Sequence, residues 1–370
     1  MTSPLAVCLS PLAWGGLWTS RHEICTELAR RGWDVLFVDP PENMVRKAFA
    51  ARRSTTKPSG TIRVVTPPSY APYGVVTTAP WVGSRVLSFN AHRYASSVRR
   101  QLDRTFPGRP VDLLINSFMP VLGYEVQSRI GPRVTVYHRA DELRQFSDEA
   151  PLADLERRVA SNADVVTCVT ERVREGIVRV RPDAVVVPNG VDTGPYHGDL
   201  APDPEVAALP RPVSVIVGVF DRRVDPALLE AAASVSTLVM VGRVDGIDRP
   251  AGAICMGHVD QTAIPPILVA ADVGVVCYVP NLPGDALKIY QYLAAGLPVV
   301  TSHDPRLPSV SGEVTIATDP ASFALAVKQV IAERTTEGDV ARRAVAEMHT
   351  WSRRVDEILE LAGFPEKRTA

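Results

Sequence analysis

The stretch from Leu5 to Val38 reads LAVCLSPLAWGGLWTSRHEICTELARRGWDVLFV. Two short apolar runs, Leu5–Leu9 and Val35–Val38, enclose a glycine-containing loop and a helical pattern. Continuous apolar strands of this kind are typical of a parallel sheet that is buried on both faces. Strand, glycine loop, helix and strand in this order predict a right-handed βαβ unit.

The helix of this unit carries signals at both ends. Ser20 and Glu23 form a Ser-x-x-Glu pattern, which predicts a capping box, and the helix runs to Arg31. Gly32 suits the C-terminal cap. The Gly-x-Gly-x-x-Gly fingerprint of dinucleotide-binding units is absent, so Asp39 after the second strand does not favour NAD binding.

The same alternation continues along the chain. Predicted strands are Leu113–Ile115, Val134–Tyr137, Val165–Val169, Val185–Val187, Val213–Val217, Leu238–Val241, Ala253–Met256, Val273–Cys277 and Val299–Thr301. Predicted helices are Arg85–Phe106, Leu152–Ser161, Glu171–Val180, Pro226–Ala233, Thr262–Ala270, Leu287–Ala295 and Pro320–Glu333. The fold class is therefore α/β, with doubly wound parallel sheets.

A proline-rich stretch divides this alternation into two halves. We predict a first domain over 1–192, a linker over 193–212 and a second domain over 213–350. Two doubly wound domains are expected to form a cleft where the carboxyl ends of their strands face each other, and ligands bind at such places.

Composition narrows the function classes. The formal net charge of the chain is −1, which does not favour a nucleic-acid partner. The five cysteines are scattered and predict reduced thiols rather than disulfides or zinc ligands. Neither a secretory signal nor an apolar run long enough to span a membrane is visible, so we expect a cytoplasmic protein.

The stretch from Asn281 to Val300 reads NLPGDALKIYQYLAAGLPVV. It predicts a loop, a short helix closed by Gly296 and a buried strand. Helix N-termini attract anions, and Lys288 near this one suits a phosphate. Gln291 lies about one helical turn further on, so both side chains can face one ligand. An ordinary surface loop followed by an amphipathic helix fits this spacing equally well.

This stretch resembles the signature of retaining family 4 glycosyltransferases, in the branch that reads NPLKLYEYLAAGKPVV. Other segments resemble the family in the same order along nearly the whole chain. They are LERRVASNADVV from Leu155, VPNGVD from Val187, ADVGVV from Ala271 and WSRRVDEIL from Trp351.

The resemblance implies a GT-B fold of two Rossmann-like domains facing a cleft, with a C-terminal helix, 351–370, that packs back on the first domain. It implies transfer of a sugar, with retention, from a nucleotide-sugar donor to a polysaccharide, glycolipid or small-molecule acceptor. No cofactor is expected besides the nucleotide-sugar substrate, and no metal is expected because an Asp-x-Asp pattern is missing.

The donor-binding residues that the resemblance implies are Gly16, Gly218, Arg222, Asp285, Lys288 and Gln291. The chain departs from the branch here, because Gln291 replaces a Glu and Asp285 an Asn, while Pro283 replaces the second Glu of the wider family. An uncharged Gln predicts weaker hydrogen bonds to the donor. Two alternatives therefore stay open, another GT-B enzyme such as a nucleotide-sugar epimerase and a catalytically silent binding or scaffold protein.

The segment from Tyr137 to Asp141 holds the candidate catalytic residues, His138 and Asp141. It follows a predicted strand, so we expect both side chains at the carboxyl edge of the sheet, facing the cleft. Asp141 matches a Tyr-Asp-x-x-Asp pattern of the branch, whereas His138 replaces an Asp, and a single His is more often structural.

Two more features complete the sequence-based hypotheses. Gly15 and Trp18, in the first glycine loop, are candidate acceptor-binding residues. Residues 44–58 form a basic amphipathic stretch, which predicts peripheral contact with an anionic membrane surface. A solvated surface helix is the alternative interpretation of that stretch.

Overall fold

The structure, a computed structural model, describes residues 2–41, 61–67, 80–142, 150–280, 286–305 and 308–364. The chain divides into two compact units. Unit 1 comprises Met1–Pro188 and Arg354–Ala370, and unit 2 comprises Asn189–Arg353. The basic stretch 44–58, Pro283 and Asp285 lie outside the described residues.

Among its described residues, unit 1 holds one sheet of seven parallel strands. The strands are β1 Leu5–Leu9, β2 Asp34–Val38, β3 Ile62–Val65, β4 Leu113–Asn116, β5 Val134–Arg139, β6 Val165–Cys168 and β7 Val185–Val186. The helices are α1 Ser20–Arg30, α2 Pro80–Thr105, α3 Pro120–Ile130, α4 Ala150–Asn162 and α5 Glu171–Glu175. The spatial order is β3-β2-β1-β4-β5-β6-β7, so the prediction of a doubly wound α/β fold is confirmed.

The first βαβ unit forms as predicted, but its helix is capped differently. The N-cap of α1 is Thr19, and the residue that completes the capping box is His22, not the predicted pair Ser20 and Glu23. The backbone N–H of Thr19 donates to Nδ1 of His22 over 3.1 Å. Imidazole nitrogen serves here as the acceptor that a Glu or Gln usually supplies.

In its described part, unit 2 holds a six-stranded parallel sheet. Its strands are β8 Val213–Val217, β9 Thr237–Val241, β10 Ile254–Gly257, β11 Val273–Val276, β12 Val299–Thr301 and β13 Val314–Ile316. Its helices are α6 Pro204–Ala207, α7 Pro226–Ala233, α8 Ile264–Val269, α9 Leu287–Ala294, α10 Pro308–Ser311, α11 Pro320–Ala332 and α12 Thr336–Met348. The spatial order is β10-β9-β8-β11-β12-β13.

Both sheets have a point where the winding direction reverses. In unit 1 it lies between β1 and β4, and in unit 2 between β8 and β11. Ligands of open α/β sheets bind outside the carboxyl ends of the strands at such topological switch points. We call these places the unit 1 switch point and the unit 2 switch point.

Several elements differ from the sequence-based expectation. Strands β3 and β13 and helices α3 and α12 were not predicted, and α5 ends at Glu175 rather than Val180. Strands β3 and β13 lie at sheet edges and include half-buried or exposed positions, so their apolar pattern is weak. The predicted linker, 193–212, lies in unit 2, where it includes a 3-10 turn, Gly194–Tyr196, and α6.

The last described helix is α13, Trp351–Leu361. From Arg354 onward the chain belongs to unit 1. There Asp356 forms an ion pair with Arg31, and Phe364 meets Trp33 edge-on, with 5.4 Å between the ring centroids. Across the described residues, no helix combines the length and the apolar character that a membrane crossing needs.

Candidate functional site

The Lys288 side chain lies at the unit 2 switch point. Lys288 is the second residue of α9 and only 7% exposed. Its Nζ lies 4.6 Å from the centroid of the Tyr278 ring, which follows β11. A Cβ atom added at Gly218, directly after β8, would lie 3.1 Å from the same Nζ. The ammonium group is therefore held between the ends of two strands that meet at the switch point.

The charge of Lys288 is not matched by a carboxylate within the described part of the chain, where no acidic side chain forms an ion pair with it. A buried ammonium without an opposing charge is costly, because water no longer solvates it. Asp285, three residues before Lys288, lies outside the described residues, and the role of Lys288 in binding an anion stays a prediction.

Two glycines let the backbone pass closely beneath this site. Gly218 and Gly242 have φ angles of 140° and 137°, which side-chain-bearing residues rarely adopt. A Cβ atom at Gly242 would lie 1.7 Å from the carbonyl oxygen of Gly218. A side chain at either position would displace the backbone or the Lys288 ammonium, so the geometry requires glycine at both.

Two hydrogen bonds with Ser302 hold the backbone of Tyr278 in place. Its N–H donates to Ser302 Oγ over 2.7 Å, and the Ser302 hydroxyl donates to the Tyr278 carbonyl over 2.8 Å. The His303 ring lies 5.8 Å from the Tyr278 ring. Burial, with Lys288 nearby, lowers the pKa of His303 to about 4. At neutral pH His303 is therefore uncharged.

The other predicted donor residues occupy different environments. Gln291 is half-buried, one helical turn after Lys288 on α9. Arg222 is exposed, and its neighbour Arg223 already binds the Asp221 carboxylate, with 2.8 Å between Nε and Oδ1. The structure thus brings Gly218 and Lys288 together, and the roles of these residues stay predictions.

In unit 1, the glycine loop follows β1. Gly15 and Gly16 are exposed, and the Gly16 N–H closes a turn on the Ala13 carbonyl at 2.9 Å. Trp18 packs on the His22 ring, with 4.9 Å between centroids, and donates its indole N–H to Glu23 at 2.8 Å. The only polar atom of the Trp18 side chain is therefore already engaged.

The surroundings of His138 differ from the prediction. His138 lies inside β5 and is 2% exposed, because the strand continues through Arg139. It is the penultimate residue of β5, near the carboxyl end of the strand, and its catalytic role stays a prediction. Burial, and secondarily the charge of Arg21, lowers the pKa of His138 to about 4. Asp141 lies two residues beyond β5 and is half-buried.

Sequence reasoning missed three residues of these sites. Arg21 lies buried in the first turn of α1, Tyr278 lies against Lys288, and the His303 ring lies near that of Tyr278. A basic residue in the first turn opposes the helix dipole, which is a signal that could have identified Arg21. No local pattern marks Tyr278 or His303, because their proximity to Lys288 arises from strand order.

A metal site is not apparent in the described ranges, where no group of three or more His, Cys, Asp or Glu side chains could hold an ion. Metal independence remains a prediction, since it concerns the reaction.

Family comparisons agree with the two-unit architecture. Residues 14–194 match the model described as Glycosyltransferase Family 4, and residues 212–333 match Glycosyl transferases group 1. The chain is a glycosyltransferase. No curated protein sequence matches this glycosyltransferase. The first match begins within the loop after β1, and the second includes the loops after β8 and β11.

Solved structures share the fold of this glycosyltransferase at low sequence identity. A sucrose-phosphate synthase from Thermosynechococcus elongatus has a TM-score of 0.70 and 17% identity, covering 97% of this chain and 98% of its own. HepE of Anabaena, in complex with UDP and glucose, has a TM-score of 0.67 and 16% identity, with 97% and 99% covered. The E. coli trehalose-6-phosphate protein bound with UDP-2-fluoro glucose has a TM-score of 0.66 and 12% identity, again with 97% and 99% covered. The glycosyltransferase has the GT-B fold of these proteins.

Proposed function

We propose that the enzyme binds the diphosphate of a nucleotide-sugar donor at Lys288 and transfers the sugar, with retention, to a carbohydrate or glycolipid acceptor. The observation that carries the donor site is the buried Lys288 ammonium at the unit 2 switch point, with no carboxylate partner in the described residues. The fold supports it, since HepE, which shares that fold, is seen in complex with UDP and glucose. Retention and acceptor class rest on the family resemblance.

The proposed chemistry needs positive charge where the leaving diphosphate forms. As the bond between the sugar C1 and the phosphate oxygen breaks, negative charge accumulates on the diphosphate. Lys288 supplies a fixed positive charge there, at no cost of reorganisation. The N-terminus of α9 adds its dipole, and its N-cap residue, Ala286, has no side chain that could occupy the first N–H groups.

Two further residues belong to this proposal. Gln291 faces the donor from the next turn of α9, where its amide both accepts and donates hydrogen bonds to hydroxyl groups. Asp141 of unit 1 is the proposed catalytic carboxylate, because His138 is neutral and enclosed in β5.

A direct test starts from a thermal-shift screen over nucleotide sugars, because a ligand that binds only the folded protein raises its melting temperature. The donor selected in this way is incubated with the enzyme, water serving as acceptor. The released sugar is observed by ¹H NMR before it mutarotates. We expect the anomer of the donor, and release of the opposite anomer would disprove retention. If no nucleotide sugar raises the melting temperature, the donor proposal fails.

The Tyr278 ring offers a second test of the donor site. Tyr278→Leu removes the aromatic face beneath the Lys288 ammonium, a contact worth about 0.5–2 kcal/mol. We expect calorimetry to show a roughly 2- to 30-fold loss of affinity for the donor. Tyr278→Phe keeps the ring and is the matched control, expected to bind like the unaltered enzyme. Equal affinities of the Leu and Phe variants would show that the ring does not position Lys288.

A further inference from the structure

Arg21 places a second buried cation at the other switch point. It lies in the first turn of α1 and is 4% exposed. Its Nε donates to Ser117 Oγ over 3.3 Å. Ser117 directly follows β4, and its backbone N–H donates to the carbonyl of Leu9, the last residue of β1. The Arg21 guanidinium therefore lies at the unit 1 switch point, as the Lys288 ammonium lies at the unit 2 switch point.

Among the described residues, Arg21 has no carboxylate in an ion pair with it, unlike the buried Arg139 of the same unit. Arg139, in β5, is equally buried, and its Nε lies 2.8 Å from the Glu156 carboxylate. For Arg21, no ion pair is found among the described residues, and Asp141 acts on it only through space. Burial accordingly lowers the pKa of Arg21, an effect that Asp141 and Cys8 oppose. In the described part of unit 1, the Arg139 guanidinium is therefore paired with a carboxylate, whereas the Arg21 guanidinium is not.

The imidazole of His138 supplies an independent observation. Its Nδ1 lies 2.9 Å from Thr167 Oγ1 on β6. Its Nε2 is buried and, in the described part of the chain, has no hydrogen-bond partner. Such atoms are rare, because each loses its bond to water without replacement, and they commonly mark a site for a water or a ligand. The register of β4 and β5 pairs Asn116 with Tyr137, so Ser117, the partner of Arg21, lies beside His138, and the charge of Arg21 also acts on the pKa of His138.

We propose that Arg21, Ser117 and His138 form an oxyanion site, the Arg21 site, which binds a phosphoryl group. In this site the Thr167 hydroxyl is assigned as the donor to Nδ1 of His138, which puts the imidazole proton on Nε2. The guanidinium, the Ser117 hydroxyl and the imidazole N–H are then all donors, a set that suits phosphoryl oxygens. The proposal rests on the proposed function in one respect, because the donor or a phosphorylated acceptor would carry the group.

The carboxylate of Asp141 acts on the Arg21 guanidinium through space and offsets part of its charge. A phosphoryl group is therefore held by directed hydrogen bonds more than by net attraction, and these bonds are lost when the planar guanidinium is replaced.

The binding test compares three variants by calorimetry. Arg21→Gln removes the charge and the fork of donors, Arg21→Lys keeps the charge alone, and Arg30→Gln alters an exposed arginine of the same helix. The probes are UDP-glucose, and inorganic phosphate added to protein saturated with UDP. We expect Arg21→Gln to weaken one probe by about tenfold or more, Arg21→Lys to restore part of the loss, and Arg30→Gln to have no effect.

The two probes separate the source of the phosphoryl group. A loss for UDP-glucose assigns it to the donor, whereas a loss for inorganic phosphate assigns it to the acceptor. Unchanged affinity for both probes overturns the Arg21 site. If the unaltered protein binds neither UDP-glucose nor any other nucleotide sugar of the thermal-shift screen, the donor proposal is wrong, yet inorganic phosphate added without UDP still tests the Arg21 site.

A measurement on the unaltered protein guards against variants that do not fold. In ¹⁵N-histidine NMR, titration with inorganic phosphate or UDP-glucose should move the Nε2–H signal of His138, assigned by its loss in His138→Gln. His197 is the internal control, because it lies in unit 2, where its Nε2 is 2.7 Å from the Glu347 carboxylate. A His138 signal that moves no more than that of His197 with either probe refutes the site.

Discussion

Lys288→Met is expected to weaken nucleotide-sugar binding by about 10- to 100-fold, because a charge-assisted contact to the diphosphate contributes about 1.5–3 kcal/mol. The same substitution should leave the melting temperature of the free protein unchanged or raise it. Methionine fills a similar volume against Tyr278 and needs no counter-charge, and no carboxylate partner in the described residues is left unpaired.

A lower donor affinity together with an unchanged or higher melting temperature distinguishes a lysine that binds a ligand from one that stabilises the fold. A residue kept for stability would lower the melting temperature when replaced, whereas a residue kept for its ligand lowers only affinity. Lys328→Met, on the exposed side of α11, is the matched control and should change neither. Calorimetry and thermal unfolding of the three proteins decide the matter. Unchanged donor affinity in Lys288→Met would remove Lys288 from the site.

The second large effect concerns the buried network behind β5. Arg139 is 2% exposed and donates from Nε to Glu156 at 2.8 Å and from Nη1 to the Val173 carbonyl at 2.5 Å. The Tyr137 hydroxyl donates to the same Glu156 carboxylate at 2.9 Å. Glu156→Ala leaves a buried guanidinium and a buried hydroxyl without their acceptor. We expect it to lower the free energy of unfolding of unit 1 by about 3–5 kcal/mol.

An exposed ion pair on the same helix supplies the control. Asp154 and Arg157 are paired on α4, with side chains 62% and 57% exposed. Asp154→Ala should cost less than about 1 kcal/mol, because water replaces the lost contact. Denaturant unfolding followed by tryptophan fluorescence suits both variants, since only Trp351 of the five tryptophans lies in unit 2. Equal losses in the two variants would show that the Glu156 network contributes no more than a surface pair.

A triple replacement tests the reason for the effect. Glu156→Leu with Arg139→Met and Tyr137→Phe removes every polar member of the network at once. Well-packed apolar side chains often replace a buried ion pair without loss of stability. The triple variant should therefore be more stable than Glu156→Ala alone. If it is less stable, apolar side chains do not replace the network, and its polar contacts stabilise unit 1 beyond the pairing of opposite charges.

Local signals account for the parts of the fold that the sequence predicted. The helix Pro226–Ala233 was predicted with its observed bounds, since Pro226 begins it and the Asp225 side chain caps it, accepting from the Ala227 N–H at 2.9 Å. Strand β1 is a fully buried apolar run, and Gly32 adopts a φ of 80° after α1. Each of these features depends on neighbours within a few residues, which a sequence displays directly.

The candidate site was predictable only in part, for the same reason. Lys288 stood out because it begins a helix after a glycine- and proline-containing loop. Its contacts with Gly218 and Tyr278 were not predictable, since they join the ends of separate strands. The end of β5 was also unpredictable, because pairing with β6 extends this strand two residues beyond Tyr137, through His138 and Arg139.

The sequence by itself determined the two doubly wound sheets, the glycine loops and the helix that presents Lys288, because periodicity, caps and turns are properties of short segments. Only the tertiary structure decided which side chains meet at the switch points. Strand order brings Arg21 to Ser117, which lies beside His138, and Lys288 to Tyr278, whose ring lies near His303. It leaves the two cations without a carboxylate partner in the described residues. Burial then sets the charge of each group, because the cost of removing it from water depends on everything packed around it.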